Sequence, residues 1–321
     1  MRVVLLLLMI FTMPQPLLAG QMYELSKWQS KHFTGHSLLH AIYSADGNKV
    51  EVDELKLAMY AADHLLLGEI HNNPDHHILQ ANFITEFVRQ KTTKPVVVFE
   101  MIPTRLQTVL DEAKNTPLKE LALKLEWEKR GWFSWEIYQP IFKAALAEKL
   151  QLKAGNLDRK LTRQISRQGI SSLSKPQQLR LSLSNELNSQ MKTSLLNELK
   201  DSHCGMLPAS ALGPMSLVQR ARDGAMADAI NRSGASGSIL IAGNGHVRKD
   251  RGVPRLLEGL KTLVIGLIEV DGNSTKITDY PIHNQQNAAL YDFVVFTPKF
   301  DTTDQCAAMK KMFKKKNKAS E

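Results

Sequence analysis

Short apolar runs, each ended by a polar stretch, recur along the chain. Segments with helical spacing of apolar residues lie among them, at 52–62 and about 75–91, and Asp46-Gly47 predicts a hairpin turn. The apolar runs predict buried strands at 64–68, 95–100, 150–155, 237–243, 262–268 and 291–296. Strands that are apolar throughout and alternate with helices are typical of a parallel α/β sheet.

The pattern changes between residues 157 and 232. This stretch is rich in Leu, Gln, Ser, Lys and Arg and contains no convincing strand. We therefore expect an α/β fold with a mostly parallel sheet flanked by helices, and with a smaller all-helical domain inserted at 157–233. The α/β domain would comprise residues 21–156 and 234–300, and residues 301–321 would form a basic, disordered tail.

The N-terminus has the three parts of an export signal. Arg2 precedes the apolar run 3–12, and small residues follow at 17–20. The run is too short for a membrane anchor, which needs about 20 residues. The alternative, a buried core helix, would alternate polar and apolar faces, and this run does not. We expect residues 1–20 to be a cleaved signal peptide.

The formal net charge is +9, much of it in the lysine-rich stretch 310–318. Such a run is usually a solvated chain end, and its functional alternative is contact with anionic lipid or an acidic ligand. An exported protein rarely meets nucleic acid, which we exclude as a partner. The two cysteines, Cys204 and Cys306, leave a disulfide open. We lean against a bridge because Cys306 lies close to the tail.

Carboxylates and imidazoles follow three of the predicted strands. They are Glu69 and His71, Glu100, and His246. Because the carboxyl ends of parallel strands share one edge of a sheet, these side chains should meet there. Such a set could bind a divalent metal or perform acid–base hydrolysis. Each residue alone could equally cap a helix or a loop, but burying four such groups together favours a site.

An aromatic segment at 132–140 is the second candidate. Pro140 suits a first helical turn, which would place Tyr138 beside the positive end of the helix dipole and favour its phenolate. The alternative is a core-packing aromatic cluster with one hydroxyl at the surface. The segment 202–208, with His203 next to Cys204, reads as a packed loop between helices.

Six motifs occur in order between about residues 60 and 255. They are 67–77 (LGEIHNNPDHH), 99–101 (FEM), Trp135-x-x-Tyr138-x-Pro140, 203–208 (HCGMLP), 222–227 (RDGAMA) and 243–254 (GNGHVRKDRGVP). In these the chain resembles the ChaN-like haem-binding family of the wider Tiki/TraB and erythromycin-esterase-like superfamily. The resemblance implies an α/β domain with a smaller helical domain, and haem as cofactor.

The resemblance also implies residue roles. Two haems would stack at a homodimer interface, with Tyr138 as the iron ligand and His203 of the partner subunit assisting. A tyrosinate suits ferric haem, and an imidazole hydrogen bond would steady it. Arg or Lys side chains of the helical insert would pair with the propionates. Proteins of haem transport are possible partners in bacterial iron acquisition.

Two other functions stay open. In the hydrolase branch of the superfamily the strand-end residues act directly, so Glu69, His71, Glu100 and His246 would be catalytic or metal-binding. An interaction module serving an iron transporter is the third. The family's lipobox cysteine is replaced by Gln21, which predicts a periplasmic protein without a lipid anchor, associated with a membrane at most through its tail.

Overall fold

The computed structural model describes residues 27–257, 259–307 and 309–311. The predicted signal peptide, the lipobox position and most of the basic tail lie outside these residues. The described strands are β1 (Ile42–Ser44), β2 (Lys49–Val50), β3 (His64–Glu69), β4 (Val96–Pro103), β5 (Gln151–Asn156), β6 (Ser238–Gly243), β7 (Thr262–Glu269) and β8 (Phe293–Thr297). The described α-helices are α1 (Val52–Ala61), α2 (Pro74–Val88), α3 (Gln107–Asp111), α4 (Leu118–Lys124), α5 (Trp135–Ala147), α6 (Arg159–Gln168), α7 (Lys175–Arg180), α8 (Ser189–Ser202), α9 (Ala209–Asn231) and α10 (Asn244–Val247).

The strands form one eight-stranded sheet in the order β2-β1-β8-β7-β3-β6-β4-β5. Every pair from β8 to β5 is parallel, and the edge pairs of β1 are antiparallel. The β1–β2 hairpin turns where it was predicted, with Gly47 at a φ of 79°. The prediction of a mostly parallel α/β sheet is confirmed, and all six predicted strands are present.

Helices cover both faces of the sheet, which is why the central strands are apolar at nearly every position. On one face, Phe83 and Phe87 of α2 and Phe142 of α5 pack against Phe99 of β4. The rings of Phe99 and Phe142 stack with centroids 4.6 Å apart. On the other face, helix α9 packs against β4 and β5.

Helices α6 to α9 occupy the stretch where no strand was expected. Helices α6 and α9 and the residues on either side of α7 share a small apolar core, which includes Leu157, Ile165 and Leu181. Helix α8 packs against α9. Helix α9 passes close to α7, since a Cβ added at Gly224 would lie 2.0 Å from the carbonyl oxygen of Leu181. Because α9 also packs on the sheet through Met226, the helical region joins the sheet through this helix. A separate domain at 157–233 stays a prediction.

Cys204 and Cys306 form a disulfide, with their Cα atoms 5.5 Å apart. Our expectation against this bridge is wrong. The two residues are 102 positions apart along the chain, but the segment after β8 returns to the loop that follows α8. Separately, none of the helices in the described part of the chain combines the length and apolar character that crossing a membrane requires.

Candidate functional site

Three neighbouring strands at the centre of the sheet, β3, β6 and β4, end at the same edge. Glu69 is the last residue of β3, Glu100 lies in β4, and His246 lies in the single-turn helix α10 after β6. The structure therefore brings all four predicted strand-end residues, Glu69, His71, Glu100 and His246, together, as parallel topology requires. Glu69, Glu100 and His246 are at most 8% exposed.

Glu69 is the centre of the first half of this cluster. Its Oε1 lies 2.6 Å from Nδ1 of His71 and accepts a 3.0 Å hydrogen bond from the hydroxyl of Tyr138. Its Oε2 lies 3.0 Å from Nε2 of His77, at ion-pair distance but outside hydrogen-bond geometry. A carboxylate buried in this way is compensated by imidazole and hydroxyl donors.

Glu100 and His246 form the second half. Oε2 of Glu100 accepts a 2.8 Å hydrogen bond from the backbone N–H of Gly243, and its Oε1 lies 3.4 Å from Nε2 of His246. The other ring nitrogen of His246 lies 2.5 Å from Oδ1 of Asp223 in α9. The imidazole is thus held between two carboxylates.

His71 joins the two halves and is the member that reaches the surface. Its Nε2 lies 3.8 Å from Oε2 of Glu100, and 29% of its side chain is exposed. Its ring packs against the ring of Trp132 in a T-shaped arrangement, with centroids 5.2 Å apart. A ligand that enters from the carboxyl edge would meet His71 before the buried carboxylates.

The protonation states follow from burial and pairing. Burial disfavours the Glu100 carboxylate, but His246 and His71 outweigh it and lower its pKa to about 2. Burial likewise opposes the imidazolium of His246, yet Glu100 and Asp223 raise its pKa to about 10. In the same way, burial opposes the charged forms of Glu69 and His71, but pairing with imidazoles lowers the pKa of Glu69 and pairing with carboxylates raises the pKa of His71. At neutral pH the Glu100 carboxylate is therefore paired with the His246 imidazolium, and the raised pKa of His71 favours the protonated form that can donate a proton.

Three residues of this region escaped the sequence-based choice of site residues. His77 and Asp223 belong to the cluster. Asp223 could have been chosen from the sequence, because it is an acidic residue on a helix face that is otherwise small and apolar. His76, by contrast, is structural. Its Nδ1 accepts a 2.9 Å hydrogen bond from the N–H of Ile70, and its Nε2 lies 2.8 Å from the hydroxyl of Thr297. Burial lowers the pKa of His76 to about 3, so it is neutral.

Tyr138 does not occupy the position that its sequence predicted. Helix α5 begins at Trp135, so Tyr138 lies inside the helix and Pro140 beyond its first turn. Its side chain is 0% exposed, so the surface hydroxyl that the aromatic-cluster alternative included is wrong. Burial and the neighbouring Glu69 raise its pKa well above the ordinary value, which disfavours the phenolate that we expected. The aromatic cluster interpretation describes this segment better.

His203 lies at the C-terminal end of α8, away from this buried cluster. Its Nδ1 donates a 2.8 Å hydrogen bond to the carbonyl oxygen of Leu199. In the neutral ring, a proton on Nδ1 leaves the lone pair on Nε2. His203 lines a cavity of about 470 Å³, which Tyr138 does not line. The cavity is lined by three arginines and by apolar side chains, among them Arg163, Arg167, Arg222, Leu199, Met215 and Val218.

Across the described ranges, no three or more His, Cys, Asp or Glu side chains are grouped so that they could hold a metal ion. In the strand-end cluster the imidazole and carboxylate groups instead pair with one another.

A family model matches residues 57–257, well over half of the chain. Its description is haem-binding uptake, Tiki superfamily, ChaN. The resemblance predicted from the six motifs is thereby confirmed, and so is haem as the cofactor that the family description names. No curated protein matches the chain.

The chain is also similar to solved structures. A ChaN of Campylobacter jejuni, described as showing cofacial heme binding, has a TM-score of 0.62 at 22% identity, covering 79% of this chain and 95% of that one. A mutant of the erythromycin esterase EreC in its open conformation has a TM-score of 0.45 at 14% identity, covering 83% and 99%. The type III effector HopBA1 has a TM-score of 0.41 at 17% identity, covering 77% and 93%.

Proposed function

The chain belongs to the haem-binding uptake family ChaN of the Tiki superfamily, and from this premise we propose that it binds haem in the cavity beside His203. The observation that carries the location is the hydrogen bond from Nδ1 of His203 to the carbonyl of Leu199. A histidine that ligates a metal commonly donates its other ring N–H to a backbone carbonyl, which orients the ring. Nε2 is then free for the iron.

The walls of this cavity suit the rest of a haem. Leu199, Met215 and Val218 offer apolar contact to a porphyrin, and Arg163 and Arg167 offer guanidinium groups for the propionates. We therefore propose that Arg163 and Arg167 are the basic residues of the helical region that hold the propionates. Haem supplies the iron, and the protein supplies an axial ligand, apolar contact and counter-charges.

The predicted role of Tyr138 as iron ligand fits the structure poorly. Its hydroxyl donates to Glu69 and lies 3.1 Å from the carbonyl oxygen of His71. Ligation would need both contacts to break and the surrounding helix α5 to move. His203 needs neither the breaking of such contacts nor a helix movement, so we propose that His203 is the first residue to bind the iron.

The remaining parts of the proposal concern assembly and location. We propose that two copies associate when haem is bound, so that haem lies at a homodimer interface. We also propose that residues 1–20 direct export to the periplasm. There the protein takes part in iron acquisition, and it receives haem from transport proteins or passes haem to them. Light scattering after size-exclusion chromatography, with and without hemin, tests the dimer, and N-terminal sequencing of the exported protein tests the cleavage.

Hemin titration tests the ligand directly. The purified protein should show a saturable shift of the Soret band, and His203→Ala should lose that shift or weaken binding at least tenfold. Tyr138→Phe should keep it, and His32→Ala, which replaces an exposed histidine, is the matched control. Loss of the shift in Tyr138→Phe but not in His203→Ala would return the ligand to Tyr138. No saturable binding in the wild-type protein would refute haem binding altogether.

The strand-end cluster supports a second candidate, an acid–base hydrolase. The supporting observation is that His71 is partly exposed while its carboxylate partners are buried and ionised. In a metal-dependent form, elemental analysis should find near-stoichiometric zinc or manganese that His71→Ala loses. In a metal-free form, ester hydrolysis should fall by orders of magnitude in Glu100→Gln and persist in His203→Ala.

A further inference from the structure

A second cavity, of about 530 Å³, lies at the carboxyl ends of β4 and β5. Met101 and Pro103 of β4 and Asn156 of β5 form one wall, and Trp132 forms another. Trp132 also contacts the ring of His71, so this cavity opens beside the strand-end cluster. It shares only Thr162 and Arg222 with the cavity beside His203.

The lining of this second cavity is strongly basic. Five cationic side chains and one carboxylate, Glu126, face it; the cations are Arg105, Lys129, Arg130, Arg159 and Arg222. Glu126 pairs with Arg105 and lies 3.6 Å from Lys129, and Arg105 also lies 3.5 Å from Asp158. Glu126 and Asp158 thus pair with two of the five cations, Arg105 and Lys129.

Three guanidinium groups remain without a carboxylate at ion-pair distance among the described residues: Arg130, Arg159 and Arg222. Two of them are also held rigidly. Arg130 donates to the carbonyl oxygens of Leu125, at 2.9 Å, and Met101. Arg222 donates to the side-chain oxygen of Gln219 at 3.1 Å.

Each of these two arginines keeps a buried N–H group that no acceptor in the described part of the chain satisfies, Nη2 in Arg130 and Nε in Arg222. An unsatisfied buried donor costs free energy, and a charged one costs more. Two arginines with such donors line one cavity with three guanidinium groups that have no carboxylate at ion-pair distance, which indicates a ligand that brings negatively charged oxygen acceptors. The planar guanidinium fork matches phosphate and carboxylate oxygens.

We propose that this cavity binds the phosphate or diphosphate group of a small molecule. A phosphate brings up to two negative charges and several acceptors to one point, which matches three converging guanidinium groups better than a single carboxylate does. The apolar side chains of Met101, Pro103 and Trp132 would contact the remainder of the ligand. This places the bound ligand beside His71 and goes beyond haem binding.

Isothermal titration of the purified protein with inorganic pyrophosphate tests the site. We expect saturable one-to-one binding that weakens as ionic strength rises. Arg130→Gln should weaken it at least about tenfold, because it removes a charge-assisted hydrogen bond from a buried position. Arg159→Gln should weaken it by about threefold, as expected for an exposed pair. Arg159 is exposed, so its replacement leaves the fold intact even if Arg130→Gln does not fold.

Two controls separate this site from its alternatives. Arg89→Gln removes an exposed arginine elsewhere and should leave pyrophosphate binding unchanged. Prior saturation with hemin should also leave it unchanged. The proposal is overturned by an absence of saturable binding, by equal weakening in Arg89→Gln, or by competition from hemin, which would make the cavity the propionate end of a haem site. Because pyrophosphate binding needs no haem, failure here leaves the hemin titration to stand alone.

Discussion

The disulfide between Cys204 and Cys306 should carry a large part of the stability of this protein. It closes a loop across a sequence separation of 102 residues. In the chain-entropy description, a loop of that length removes about 4.7 kcal/mol of conformational freedom from the unfolded state. For a chain of this size, such a loss corresponds to a fall in Tm of roughly 10 °C.

Thermal unfolding followed by circular dichroism measures this effect. Cys306→Ser should lower Tm by roughly 10 °C, and the double variant with Cys204→Ser should behave alike. A reducing agent should lower the Tm of the wild-type protein and leave both variants unchanged. A fall below about 2 °C, with the bridge verified by mass spectrometry in the wild type, would refute the reasoning. It would mean that the bond restrains only the chain end.

The same bond reaches the proposed haem site. Cys204 follows His203 directly and has a φ of 57°, in the left-handed region. The bridge holds this loop in that conformation, which places His203 at the end of α8. In Cys306→Ser we therefore expect weaker hemin binding as well as lower Tm, measured by the Soret titration on protein kept below its melting temperature.

Two further predictions concern the cluster and α9. His246 has a pKa raised from 6.5 to about 10, so the folded state binds the extra proton between these values. The free energy of unfolding should therefore fall as pH rises from about 7 to 10, and denaturant titrations of His246→Gln should lose that slope. Gly224→Ala should destabilise, because its Cβ would meet the Leu181 carbonyl at 2.0 Å. Gly213→Ala in the same helix meets nothing described within 4 Å beyond its chain neighbours, so it should change the free energy of unfolding far less in the same titrations.

Much of the architecture was predictable because its signals are local. Apolar runs of five to seven residues identified six strands, since a strand covered on both faces must be apolar at almost every position. The convergence of Glu69, Glu100 and His246 was predictable for a topological reason, because parallel strands end at one edge of their sheet.

Contacts between distant segments decided what local patterns could not. The sequence shows Tyr138 in an aromatic segment, but only the packing of α5 against α2 and β3 buries its hydroxyl on Glu69. In the sequence, Asp223 is one acidic residue in a helix of the insert. Only the packing of α9 on the sheet brings its carboxylate to His246.

The sequence by itself thus determined the order of strands and helices, the family and the edge at which polar groups collect. The tertiary structure alone decided which of those groups are buried and ionised, that Cys204 is bonded to Cys306, and that Arg130, Arg159 and Arg222 line one cavity with Trp132. The reason is physical. Periodicity records which face of an element is apolar, whereas charge pairing, desolvation and a disulfide depend on distances between residues far apart along the chain.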